Sequence, residues 1–253
     1  MKQIIAVTSF KGGTAKTSTT LHVGAALATF HRKKVLLIDF DAQANLTTGL
    51  GFDPDEQDSI APVLQGEKEF SSVCLSTAIK RLDLVPADTW LERVEVTGAL
   101  AADRYSHERL KKILDPLDYD FILIDTPPSL CWLTESSLIA ANNSLVCATP
   151  EFYSIKGLQR LAIFMENIAE RHFLQVLGVS LSFWNDRGKS NGSFLEVIED
   201  TFPGKIFSPK VRRDISISDA AIYGGPVFAT APKSKAAEDY KKLTSDIIAR
   251  LSP

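Results

Sequence analysis

The β-branched run Ile4-Ile5-Ala6-Val7 stops at Ser9-Phe10-Lys11-Gly12-Gly13-Thr14-Ala15-Lys16-Thr17-Ser18, and an apolar helical stretch follows at once. A short run of that kind suits a strand buried on both faces of a parallel sheet. From Thr17 onward, Leu21, Ala25, Ala26 and Leu27 recur at roughly helical spacing. Strand, glycine-rich turn and helix N-terminus, in that order, aim backbone N–H groups and the positive end of the helix dipole at one point, where a di- or triphosphate sits. Lys16 is then expected to reach the β- and γ-phosphates, and the Thr17 hydroxyl to ligate Mg²⁺. The ordinary pattern G-x-x-x-x-G-K-[ST] fails, because Phe10 stands at its first glycine and Ala15 at its second. If the turn requires φ > 0 at Ala15, the alanine costs about 1 kcal/mol.

Two more apolar runs end in carboxylates. Val35-Leu36-Leu37-Ile38-Asp39 precedes Phe40-Asp41-Ala42-Gln43-Ala44-Asn45, and Asp120-Phe121-Ile122-Leu123-Ile124-Asp125 precedes Thr126-Pro127-Pro128-Ser129. The paired prolines stiffen the turn and prevent the ladder from continuing. Phosphoryl transfer needs little covalent help from a protein, so a carboxylate that orients water is a sufficient apparatus beside a phosphate cradle.

The segment Lys11-Gly12-Gly13-Thr14-Ala15-Lys16-Thr17 resembles the deviant Walker A box K-G-G-x-x-K-[ST] of the ParA/MinD class of P-loop ATPases. Residues 35–45 are similar to that class's VLLIDxDPQxN segment, with Ala42 in place of proline, and residues 120–129 to its Walker B motif. The likeness continues through Leu145–Leu158, Ser208–Asp214, Ser218-Asp219-Ala220 and Gly224–Val227, so it spans nearly the whole chain. By resemblance, Lys11, Gly12, Gly13, Ala15, Lys16, Thr17 and Ser18 bind ATP, and Pro209 and Val211 border the adenine. Asp41 polarises the attacking water, while Asp125 and Asp39 reach Mg²⁺ through water. The resemblance also implies an ATP-dependent sandwich homodimer in which Lys11 crosses to the partner's phosphates, placing charge as an arginine finger does.

Length and pattern predict a single α/β domain over residues 1–253, a mostly parallel twisted sheet with helices on both faces. Strand-like runs lie at 3–8, 34–39, 82–86, 120–125, 143–149 and 175–183, and residues 49–72 read as the loosest region. The first run starts directly after Met1, which predicts no signal peptide and no preceding helix-turn-helix domain. Cys74, Cys131 and Cys147 lack C-x-x-C spacing, suiting reduced thiols in the cytoplasm, and the histidines His22, His31, His107 and His172 lack metal-ligand spacing.

Within the class, nitrogenase-reductase-like members need two cluster cysteines, and only Cys131 is near a suitable region. MinD-like members end in a basic membrane-binding helix. Here Ala237, Tyr240, Leu243, Ile247, Ile248 and Leu251 form an apolar stripe whose flanking charges balance, which predicts a docking helix and no stable membrane attachment. The remaining expectation is a partition ATPase that binds double-stranded DNA non-specifically as an ATP dimer and is released when a ParB-like centromere-binding protein stimulates its otherwise slow hydrolysis to ADP and phosphate. Such a protein is cytoplasmic and nucleoid-associated. The net charge of −3 does not favour DNA, so only local clusters count, with Arg212 and Arg213 the candidate contacts. The alternative is a MinD-like or other cargo-positioning ATPase without a DNA role.

Overall fold

Every residue of Val35–Asp39 and of Phe121–Asp125 is buried, as their unbroken apolar runs require of strands covered on both sides. The computed structural model describes residues 2–96, 103, 105–150, 154–188 and 191–252. Its strands are β1 (Gln3–Thr8), β2 (Val35–Asp39), β3 (Leu75–Ser76), β4 (Leu82–Val85), β5 (Phe121–Asp125), β6 (Asn143–Ala148) and β7 (Gln175–Leu181). They form one sheet in the order β3-β4-β2-β5-β1-β6-β7. All neighbours pair in parallel except β3 and β4. The six anticipated runs are all strands, with ends shifted by up to two residues; β3, only two residues long, carries too short a pattern to be read from sequence.

The helices are α1 (Lys16–Phe30), α2 (Asn45–Gly49), α3 (Ala61–Gln65), α4 (Phe70–Val73), α5 (Trp90–Val96), α6 (Arg109–Leu114), α7 (Trp132–Ala140), α8 (Ser154–Ala169), α9 (Asn191–Thr201), α10 (Ser216–Ile222), α11 (Val227–Thr230) and α12 (Lys235–Leu251). Strand alternation sorts the core into two layers. Ile4, Ala6, Leu36, Ile38, Ile122 and Ile124 pack under α7 and α8. Ile5, Val7, Val35, Leu37 and Leu123 face the other way, under α1 and α12. α12 starts at Ser234, whose side chain accepts from the Ala237 N–H, and buries Tyr240, Leu243 and Ile247. Its docking role follows from that stripe. Tyr240 stacks on His22 of α1 at 4.6 Å between centroids. Burial lowers the His22 pKa to about 4, so this imidazole packs as a neutral ring.

Residues 49–72 are more structured than their composition predicts: α3 and α4 lie there, and Ile60, Ala61, Val63 and Leu64 enter the core. Just before them the backbone of Gly51 meets that of Gly224, after α10. Both residues have positive φ, and a Cβ on Gly224 would lie 2.7 Å from the Gly51 Cα. On the outer side of α10, Ile215, Ile222 and Tyr223 are exposed. No helix among the described residues is long and apolar enough to cross a membrane.

Candidate functional site

In a parallel sheet of this kind, ligands bind beyond the carboxyl ends of the strands. Three neighbouring strand ends supply the chemistry here. β1 runs into the glycine loop, and the register pairs Val7 with Asp125 and Asp39 with Asp125 across β1, β5 and β2. The two carboxylates that close the second and third apolar runs are therefore side by side at one edge of the core.

The loop is shaped by two left-handed residues, Gly13 at φ +76° and Ala15 at φ +63°. Ala15 does occupy the conformation that glycine would take without strain, and it does so at the N-cap of α1. The Ser9 hydroxyl donates to the Lys11 carbonyl at 2.8 Å and Thr14 Oγ1 to the same carbonyl at 3.3 Å, which folds the loop upon itself. Lys16 is only 7% exposed, with Nζ donating to Ser9 Oγ at 3.1 Å. Lys11, Gly12 and Gly13 are exposed at the loop's crest. Behind the loop, Phe10 lies against Gly157 of α8, where a Cβ would collide with its ring.

Asp125 is fully buried. Burial pushes its carboxyl up to about 6, the Thr17 hydroxyl and the Lys16 ammonium pull it partly back, and the Asp41 charge raises it again. Those influences place Lys16, Thr17 and Asp41 around one carboxylate. Thr20 Oγ1 donates to its Oδ1 at 3.2 Å, whereas Oδ2 is buried with no partner among the described residues. A buried carboxylate oxygen left unpaired is costly. A hydrated divalent cation held between Thr17 and Asp125 would satisfy it, so the donor set fits Mg²⁺, a cation that takes oxygen ligands and retains water.

Asp39 is also fully buried and is pushed up to about 7 by burial and by the adjacent Asp125; donation from Thr47 opposes the rise. Asp41, half-buried, begins the turn into α2: its Oδ1 accepts from the Gln43 N–H at 3.1 Å, and its carbonyl accepts from the Ala44 N–H at 2.9 Å. Ala42, in the position where the family has proline, packs against the core.

Of the other anticipated residues, Ser18 belongs to the helix that the loop opens, and the rest lie after β7 in the chain. Ser18 is on the first turn of α1, with its carbonyl engaged by His22 Nδ1 at 2.6 Å. Val211 is buried, and both of its backbone groups are engaged, the N–H by the Leu181 carbonyl at 2.8 Å and the carbonyl by the Trp184 N–H at 3.0 Å. Pro209, half-buried, is the member of that pair with accessible surface. Arg212 is held by the buried Asp239, its Nη2 donating to Oδ1 at 2.6 Å and its Nε to Oδ2 at 2.8 Å. Arg213 is exposed. Part of the anticipated segment at 145–158 lies outside the described residues, namely 151–153.

Sequence reading missed Ser9, Thr20 and Thr47. Thr20 was open to inference, since it lies one turn beyond Lys16 and Thr17 on the same helix. Ser9 and Thr47 act through contacts that no spacing announces.

The AAA_31 family profile, described as an AAA domain, matches residues 2–176. A ParA family protein of Chlamydia muridarum (strain MoPn / Nigg) is 67% identical over 246 residues, covering 96% of this chain and 96% of its own. The sporulation initiation inhibitor protein Soj of Bacillus subtilis (strain 168) is 31% identical over 255 residues, 98% of this chain and 99% of its own. Among solved structures, cobyrinic acid a,c-diamide synthase from Mycobacterium smegmatis with bound ATP analog and magnesium superposes with a TM-score of 0.87 at 28% identity, covering 100% of this chain and 96% of that one. A glycine loop with two lysines at the end of β1, together with these likenesses, puts the chain in the ParA/MinD class of P-loop ATPases. Within that class, the extent and degree of identity show that the chain belongs to the ParA family.

Proposed function

We propose that this protein is a partition ATPase whose ATP-bound form is a homodimer that coats double-stranded DNA without sequence preference, and whose hydrolysis, slow alone and stimulated by a ParB-like protein, releases it. The observation that carries the nucleotide reading is the alignment of Asp39 and Asp125 beside the end of β1, from which the glycine loop and the buried Lys16 follow, with Asp125 Oδ2 buried and without a hydrogen-bond partner among the described residues. Gly12, Gly13, Ala15 and Ser18 present the loop and helix N-terminus to the phosphates. Thr17, with Asp125 and Asp39 behind it, would hold Mg²⁺, which when bound would neutralise charge on the phosphates. Asp41 orients a water in line with the γ-phosphate; the water's oxygen forms the new P–O bond as the bond to ADP breaks, one of its protons stays on the inorganic phosphate and the other is released to solvent. Lys16 in the same subunit and Lys11 from the partner stabilise the charge that develops. Pro209 borders the adenine, with Val211 holding that loop to β7.

For DNA, Arg213 is the stronger of the two candidate contacts, because Arg212 is committed to Asp239. That commitment, with a net charge of −3, favours a second reading in which the same ATP switch positions a cargo other than DNA. Retention of DNA by the protein on filters, with ATP, ADP or no nucleotide, separates the two. The first reading expects retention with ATP alone; equal retention in all three states ends the switch on DNA. Steady-state release of phosphate from ATP checks the enzyme itself.

A further inference from the structure

Thr47 makes three hydrogen bonds that join separate parts of the site. Its N–H and its hydroxyl both donate to Asp39 Oδ2 at 2.8 Å, and its Oγ1 in turn accepts from the Ala87 N–H at 3.1 Å. Thr47 is fully buried, as is Asp39. Ala87 follows β4, the strand paired with β2. The other oxygen of Asp39, Oδ1, accepts from the Asp41 N–H at 3.3 Å. Asp39 is thus gripped on one oxygen by Thr47 and holds the start of the Asp41 turn with the other.

We infer that Thr47 is a positioning residue for hydrolysis: its hydroxyl locks the rotamer of Asp39 between the ends of β2 and β4, and through Asp39 fixes the backbone that carries Asp41. The inference rests on the reading of Asp41 as the residue that orients the attacking water. A hydroxyl has one proton to give and lone pairs to receive. In this position both are used, so no other side chain of similar size substitutes for it except serine. Valine fills the same volume but leaves the Ala87 N–H unpaired and the buried Asp39 oxygen with one donor fewer. Thr47 is fully buried and its side chain bonds only Asp39 and the Ala87 N–H among the described residues, so its loss acts through Asp39.

The test compares wild type, Thr47→Val and Thr47→Ser. In Thr47→Val, kcat should fall by about 10- to 100-fold, the usual cost of removing a supporting hydrogen bond behind a reacting group, with KM and the affinity for a fluorescent ATP analogue within about twofold. Thr47→Ser should restore most of the rate. Amide hydrogen exchange on the nucleotide-free proteins should show faster exchange over residues 40–48 in Thr47→Val, and unchanged exchange in β1 and α12. Unchanged turnover and unchanged exchange over 40–48 would overturn the inference. So would a parallel loss of nucleotide affinity, melting temperature and rate that serine does not rescue, since that is the signature of simple structural damage. If the wild type binds nucleotide yet never hydrolyses it, the ATPase reading fails, while exchange over 40–48 still decides whether Thr47 holds the Asp41 turn.

Discussion

A buried lysine ammonium is an expensive object unless an anion completes it. Lys16 is such a residue, 7% exposed, with its Nζ donating to the neutral Ser9 Oγ at 3.1 Å. Lys16→Ala should leave the fold intact and reduce binding of a fluorescent ATP analogue below detection in an equilibrium titration. Asp39 gives a pH-dependent prediction. Its folded-state pKa is raised from 3.8 to about 7, so the stability linked to its proton is fully present below about 3.8 and is lost as pH rises through about 7. Asp39→Asn removes that loss. In the presence of a chelator, the melting temperature of the variant minus that of wild type should therefore increase steadily from pH 4 to about 7.5; a flat difference would mean that the carboxylate is not desolvated in solution. These residues were legible to different degrees. Lys16, Thr17, Asp39, Asp41 and Asp125 stand at fixed places relative to apolar runs, and the runs betray them. Thr47 was invisible, because it returns to Asp39 across a turn whose shape depends on Ala44 at φ +51°.

The helices that frame the site are held by close approaches that only small residues permit. A Cβ on Gly24 of α1 would fall 2.5 Å from Leu37 Cδ2 of β2. Gly24→Val should overpack that contact and destabilise the protein by about 1–3 kcal/mol, measured by chemical denaturation, with the loss falling on the helix that begins with Lys16. α12 packs on the same helix from outside, through Tyr240 over His22 and Lys241 Nζ at 4.5 Å from the Phe30 ring. Strand identity and the apolar stripe of α12 were readable because period and burial agree there. The short helices α3 and α4 were not, since polar and glycine-rich composition signals a loop whether or not a few apolar residues such as Ile60 and Leu64 reach the core.

At the scale of the molecule, the crest formed by Lys11, Gly12 and Gly13 lies in the open, so a second subunit has access to it. Asp41→Ala keeps the phosphate cradle and removes the group proposed to orient water. With ATP and Mg²⁺ it should sediment as a dimer and remain on DNA, while wild type cycles off; protomers alone under saturation would dismiss the two-subunit arrangement. The mostly parallel sheet with helices on both faces was foreseeable, because it follows from runs long enough to carry a period; the order of its strands was not, since no single run announces its neighbours. The meeting of Gly51 with Gly224 was not, for it joins segments far apart in the chain, and neither has a side chain to signal it. Where two main chains mesh like gear teeth, there is no soft padding to absorb play. α2, tethered at Thr47 to Asp39, therefore ends against the turn that follows α10 with backbone on backbone, and neither glycine can take a side chain there without parting the two segments.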